Sequence, residues 1–371
     1  MKKYGPLARM QTDRFLINNL SFNFTTMKKF SMLLFFAVAM IALASCGGAS
    51  KKSEAKTEEV KECCLPIGLQ LYSVRDDMAK DFKGTLQKVK EMGYEGVEFA
   101  GLYDNSPEQI KTWCAELGLN PISAHVPLAD MLADIDKVIA DYKAIGCEYI
   151  VVPYVTEERR PGGEKFMQMI EEIRTIGQKV KDAGMTLLYH NHDFEFQKTE
   201  SGEFGLDYLY ANVPADLLQT ELDQCWVKYA GQDPVAYLQK YEGRSPVVHL
   251  KDYFAAGEQK EDPYALIGLN EGEKKENTAF EFRPLGYGVQ DIPAIVRASK
   301  AAGSKWLIVE QDQPSMGKTP LECVAMSIEF MKQMQAEGTC CSENGHGEGH
   351  NHAHGEGCTH SHGADCDHNH K

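Results

Sequence analysis

Four histidines stand in the body of this chain, and each closes or follows a short apolar run: ISAH at His125, LLYHNH at His190 and His192, and VVHL at His249. Acids and a lysine occupy matching places in TELD (Glu221, Asp223), HLKD (Lys251) and VEQD (Glu310, Asp312). Residues two apart on a strand share a face. His190/His192, Glu221/Asp223, His249/Lys251 and Glu310/Asp312 therefore each present a pair to one side wherever the strand runs that far. Imidazoles and carboxylates gathered in one place repel or go unsatisfied unless a cation joins them, and a divalent metal ion is the economical answer. Such an ion polarises a carbonyl and acidifies the neighbouring C–H. A base must then take the proton, a step typically worth about 10²- to 10⁴-fold. The histidines are few enough for their positions to matter, because eight of the 12 in this 371-residue chain lie in the last 26 positions.

For these groups to meet, strand ends far apart in sequence must converge. Five segments share one pattern, in which an amphipathic helix ends at a glycine and a short apolar strand follows: KEMGYEGVEF, AELGLNPISA, KAIGCEYIVV, KDAGMTLLYH and KAAGSKWLIV. Gly93, Gly118, Gly146, Gly184 and Gly303 stand where a left-handed cap ends each helix. Further strands at Ile67–Leu71, Leu218–Leu222 and Val247–Leu250 bring the count to eight, that of a closed (β/α)8 barrel spanning residues 65–336. An open doubly wound sheet fits part of the pattern. The chain has no glycine-rich loop after its first strand, where GLQLYSVRDD runs instead, so no nucleotide cofactor is expected. In a barrel the carboxyl ends of all strands open on one cavity. Read in order, those ends carry Gln70 and Tyr72, Glu98, His125, Pro153, and then the four pairs above.

LLYHNHDFEF, TELDQCW, VVHLKDY and LIVEQD resemble the corresponding strand ends of the xylose isomerase-like sugar phosphate isomerase/epimerase family, a (β/α)8 TIM barrel, over nearly the whole body. In that family a Glu, an Asp, a His and a Glu from strands five to eight hold a divalent ion, often manganese, with zinc, magnesium or cobalt as alternatives. Asp223, His249 and Glu310 match three of these positions. His190 stands at the first. The implied metal set is thus His190, Asp223, His249 and Glu310, with Glu195 as a loop carboxylate that could reach in. The resemblance implies an isomerase/epimerase acting on a sugar or keto-glycoside through a metal-stabilised enediolate, with His192, His125, Lys251 and Glu310 as candidate acid/base groups. Gln70, Tyr72, Glu98, Trp226 and Arg283, the last with the loop RPLGYG, are expected around the substrate. The HNH pattern is similar to the branch containing inosose dehydratases, which makes elimination of a β-substituent the alternative. A basic cluster for phosphate is missing, which favours an unphosphorylated substrate. Lys251 has a second reading as a surface lysine paired with Asp252. The runner-up class is a non-catalytic sugar- or metal-binding lipoprotein, and the endonuclease branch of the barrel uses more histidines than this chain offers.

The formal net charge of −15 opposes a nucleic-acid partner. MKKFSMLLFFAVAMIALASCGG, Met27 to Gly48, resembles a bacterial lipoprotein signal. That implies a signal region over residues 1–46, lipid on Cys46 as a membrane anchor, and export to the periplasm or outer membrane of a Gram-negative bacterium. Residues 47–64 read as a flexible tether. Residues 337–371, rich in His, Cys and Gly, read as a disordered tail able to chelate zinc, nickel or copper without fixed spacing. Cys114, Cys147 and Cys323 are expected as small core residues, and the remaining cysteines show no regular disulfide framework. A homo-oligomer is compatible with the sequence.

Overall fold

Runs such as YIVV and VVHL are buried along their whole length, as parallel strands are when helices cover one face and a barrel lumen the other. The structure, a computed structural model, describes residues 64–255 and 280–340. Its strands are β1 (Ile67–Gln70), β2 (Gly96–Phe99), β3 (Asn120–His125), β4 (Tyr149–Val152), β5 (Thr186–His190), β6 (Gln219–Asp223), β7 (Val247–Leu250), β8 (Asp252–Ala255), β9 (Phe280–Arg283) and β10 (Trp306–Val309). Eight of these close a parallel barrel in the order β1-β10-β7-β6-β5-β4-β3-β2. This is the expected architecture. The β6 strand runs one residue later than the LQTEL segment predicts, because Asp223 still pairs with β7 before it starts the next helix. The antiparallel β8–β9 pair was not foreseen, since its two halves are far apart in sequence and each is only four residues long.

Between the strands, the helices bury one stripe against the barrel, and all five glycines expected to end helices have positive φ, from 65° to 110°. Alternation along the strands sorts the lumen into levels. At the amino-terminal level Ile122, Tyr149, Val151, Leu188, Val247 and Ile308 form an apolar cluster of their own. Gly68 belongs there for want of room, because a Cβ would stand 2.6 Å from the side chains of Ile122 and Ile308. One step further along the strands the lumen turns from apolar to charged.

Cys64, just before β1, forms a disulfide with Cys340, the two Cα atoms lying 6.5 Å apart. A sequence separation of 276 residues leaves no local spacing from which to read the pair. Residues 337–340, assigned to the tail by composition, pack on the body: Cys340 is buried and Arg297 donates to the Thr339 carbonyl at 2.9 Å. Cys114, Cys147 and Cys323 are buried free thiols, as is Cys225. No helix among the described residues is long and apolar enough to cross a membrane. The expected signal region with Cys46, the tether up to Cys63, and the tail from Cys341 onward lie outside the described residues.

Candidate active site

The end of β5 shows why two histidines are spaced by a single residue. His190 closes the strand and His192 follows it, both lining the cavity at this end of the barrel. Asn191 between them is spent on β6: its Oδ1 accepts from Asp223 N at 3.0 Å and its Nδ2 donates to Asp223 O at 3.3 Å. Asp223 uses Oδ1 to accept from Cys225 N (2.8 Å), which caps the helix Gln224–Tyr229. Its other oxygen, Oδ2, accepts no aligned hydrogen bond among the described residues and lies 3.1 Å from Lys251 Nζ and 3.5 Å from His190 Nε2. From β7, His249 Nδ1 stands 3.0 Å from Glu310 Oε2, just past β10. One donor atom each from His190, Asp223, His249 and Glu310 lies within 4.8 Å of all the others. Two imidazoles and two carboxylates at that spacing fit a single divalent cation.

Below this set lie two more acids. Glu221 Oε1 is approached by His125 Nε2 at 2.6 Å, His249 Nε2 at 3.0 Å and His190 Nδ1 at 3.1 Å. Glu98 Oε1 lies 2.8 Å from His249 Nε2, and Glu98 is held by Gln70 Nε2 at 2.7 Å and Ser123 Oγ at 2.5 Å. Above, Lys251 Nζ sits 2.8 Å from Glu310 Oε2 and 2.9 Å from Asp312 Oδ2. The cavity over these groups measures about 510 Å³, and Tyr72, Tyr154, His125, His192, Lys251 and Asp312 are among its walls.

The electrostatics follow from burial set against neighbouring charge. Burial alone would depress His125, but the carboxylates of Glu98 and Glu221 override it and lift the imidazole to about 10. His249 is raised in the same way by Glu221, Glu98 and Glu310 against its burial. His190 and His192 are pushed well below the usual histidine range, first by burial, then by cationic neighbours: His249 for His190 and Lys251 for His192. These two rings are neutral. Burial opposes the charge on Lys251, yet Asp223, Asp312 and Glu310 hold it firmly protonated. Burial pushes Asp312 up to about 6 despite Lys251.

Of the expected acid/base groups, His192, His125, Lys251 and Glu310 all reach the cavity. The expected substrate contacts fare differently, and only Tyr72 is in its wall. Gln70 and Glu98 are wholly buried and bond one another, because strand alternation sends them into the lumen one level too deep for a sugar hydroxyl. Trp226 is also wholly buried, its ring 5.3 Å from that of His192 and 5.4 Å from Lys251 Nζ, so it backs those residues instead of facing a ligand. Arg283 lies on β9 and donates to Glu281 Oε2 at 2.6 Å. The RPLGYG loop serves Asp252, whose carboxylate accepts from the amides of Gly286, Gly288 and Gln290 at 3.0–3.1 Å. A Cβ at Gly288 would stand 2.2 Å from Asp252 Oδ1, so the loop needs glycine there. Asp252 is thereby removed from Lys251, which points inward. Glu195 does not reach the metal set either: Oε1 accepts from the Tyr189 hydroxyl at 2.6 Å and Oε2 from His192 N at 2.8 Å, while burial pushes its carboxyl up to about 8. The group that sequence reasoning under-weighted is Glu221. TELD marked it as lumen-facing, but only the packing of four strands reveals that three imidazoles share its one oxygen.

The profile of the xylose isomerase-like TIM barrel family matches residues 86–334, and the chain belongs to that family. Among characterised sequences, an inosose dehydratase from Clostridium beijerinckii is 26% identical over 175 residues, which is 46% of this chain and 55% of that protein, so the match spans about half of the relative. Among solved structures, a sugar phosphate isomerase/epimerase from Parabacteroides distasonis superposes with a TM-score of 0.58 at 21% identity, covering 74% of this chain and 95% of the other. The IOLI protein, solved with a binding zinc atom, gives a TM-score of 0.56 at 15% identity, covering 74% and 99%. At these identities the structural likeness establishes the fold.

Proposed function

We propose that the protein is a divalent-metal-dependent enzyme that removes a proton next to a carbonyl of a sugar or keto-glycoside, acting as an isomerase or epimerase. The observation that carries this reading is the convergence of His190, Asp223, His249 and Glu310 beside a neutral His192 and a cationic Lys251 in one cavity. A bound ion, for which we propose manganese because it is the family's frequent metal and two carboxylates are present to take it, would be held by those four residues and would supply Lewis acidity to the carbonyl oxygen. The zinc of the IOLI structure supports a metal in this family's barrel. His192, kept neutral by burial and Lys251, can accept the proton; Lys251 can donate a charged hydrogen bond to the oxygen on which negative charge develops. Tyr72 and Tyr154 border the cavity. Returning the proton to either carbon gives isomerisation or epimerisation.

A second outcome, elimination of a β-oxygen substituent, is favoured by one specific observation. His190 stands where the family's first carboxylate would be, and Glu195 is turned to Tyr189, so the second acid/base carboxylate of a two-base epimerase is missing. The inosose dehydratase match points the same way. Incubating the purified protein with manganese in deuterated buffer, with 3-keto glucosides and common ketoses, tests both outcomes. Deuterium in recovered or rearranged sugar marks isomerisation, and loss of water or of the glycosidic partner marks elimination. If neither occurs with metal bound, the protein is a binding module and the enzymatic reading fails. We also propose export and anchoring through lipid on Cys46, which mass spectrometry of the membrane fraction would detect as a diacylglyceryl adduct.

A further inference from the structure

We infer that Glu221 positions both histidine ligands of the metal set, one buried carboxylate oxygen holding each ring by the nitrogen that faces away from the ion. The inference rests on the assignment of His190, Asp223, His249 and Glu310 made above. An imidazole that gives one nitrogen to a metal is fixed in orientation and tautomer by whatever its other nitrogen meets. His190 points Nε2 toward Asp223 Oδ2 (3.5 Å) and Nδ1 toward Glu221 Oε1 (3.1 Å). His249 is turned the other way round, with Nδ1 toward Glu310 Oε2 (3.0 Å) and Nε2 toward the same Glu221 Oε1 (3.0 Å). The Nδ1 of one ring and the Nε2 of the other thus converge on one atom.

Sheet register makes this sharing unavoidable. The β6 strand lies between β5 and β7, His190 pairs with Glu221 and His249 with Asp223, so a single residue of β6 reaches inward between the two rings. At His249 the hold is shared, because Nε2 hydrogen-bonds Glu98 Oε1 at 2.8 Å and lies 3.0 Å from Glu221 Oε1, whereas the Nδ1 partner of His190 is Glu221; His125 Nε2, at 2.6 Å, supplies the buried carboxylate with a counter-charge. Glu221 is wholly buried and its Oε2 accepts no hydrogen bond among the described residues, so the contacts of Oε1 with His190, His249 and His125 are what hold it there. The same atoms, with His125, are spaced closely enough for a second ion. That would require both imidazoles to bridge two metals as anions, whereas a proton on each deep nitrogen requires only the carboxylate already there.

The test is a manganese titration of the full chain with the free ion followed by its electron spin resonance; manganese is chosen because carboxylate sets hold it well and thiol and imidazole tails poorly. Wild type is expected to take up one tight equivalent. Glu221→Gln keeps an acceptor oxygen and loses the charge, and should bind about 10-fold more weakly, whereas Glu221→Ala should approach 100-fold. Circular dichroism of the metal-free proteins reports their folding, and if the alanine variant fails to fold the glutamine variant decides. Glu195→Gln, a buried carboxylate touching neither ring, should leave the affinity unchanged. Equal affinity in wild type and both Glu221 variants overturns the positioning role and leaves the metal set standing. An absence of any tight site in wild type overturns the metal set and this role together. A second tight equivalent that vanishes in Glu221→Ala would place an ion at Glu221 and also overturn the role.

Discussion

Two adjacent levels of one barrel obey opposite rules. On β5, β7 and at the end of β10 the lumen carries Leu188, Val247 and Ile308 at one level and His190, His249 and Glu310 at the next, on the same strands and one alternation apart. The lower level is held by volume: side chains fill the lumen, and Gly68 is small because Ile122 and Ile308 leave it no space. The upper level is held by charge balance among groups that would each be costly to bury alone: Glu98, Glu221, Asp223, Glu310 and Asp312 against Lys251 and the raised histidines. Its members are therefore coupled, and one substitution there should disturb several neighbours, whereas one in the floor should act locally.

The contrast can be broken or sharpened by substitution, the largest effect coming first. His192→Phe keeps a planar ring beside Trp226 and removes the neutral base, so kcat/KM should fall by about 10²- to 10⁴-fold with the melting temperature nearly unchanged. A small kinetic loss would move the base to another residue. Lys251→Met leaves Asp223, Glu310 and Asp312 without their shared ammonium, and urea denaturation should show a loss of about 3–5 kcal/mol in metal-free protein, partly restored by metal. In the floor, Leu188→Ala should cost about 2–5 kcal/mol by the same measurement while activity per folded molecule stays close to wild type. Equal damage to activity from Leu188→Ala and Lys251→Met would erase the distinction between levels.

The last effect depends on pH and concerns Glu195, outside both levels. Its carboxyl titrates near 4.5 when unfolded and is pushed up to about 8 when folded. A raised acid keeps its proton in the native state longer than in the unfolded chain, so wild-type stability should fall as pH rises through that window, by at most about 1.4 kcal/mol per pH unit. Glu195→Gln lacks the slope. Its stability relative to wild type should therefore improve between about pH 5 and about pH 8 in urea denaturation, and a flat difference would show that Glu195 is ionised in the folded protein.

Much of this was legible in the chain. Helix, glycine, strand is a local grammar, because helix caps and buried strands are set by neighbouring residues, and it yielded the barrel and all five left-handed glycines. The convergence of His190, Asp223, His249 and Glu310 was legible too, since a closed barrel brings every carboxyl end to one rim. Depth was not. Gln70, Glu98 and Trp226 read as cavity residues because sequence gives the face of a strand but not the level at which the cavity stops. Nor was the Cys64–Cys340 bond, which joins residues with no shared local pattern.

Residue order alone determined the alternating elements, their caps and the faces on which chemistry would stand, because periodicities of two and 3.6 residues are properties of the backbone. Tertiary structure decided which of those inward residues touch. The stagger of β5, β6 and β7 sets two imidazoles against one oxygen of Glu221, closure of the barrel brings His125 of β3 to the same atom, and Lys251 ends among three acids with Asp252 away in its loop of amides. Contacts measured in tenths of an ångström depend on how whole strands lie beside one another, and no stretch of this chain encodes that by itself.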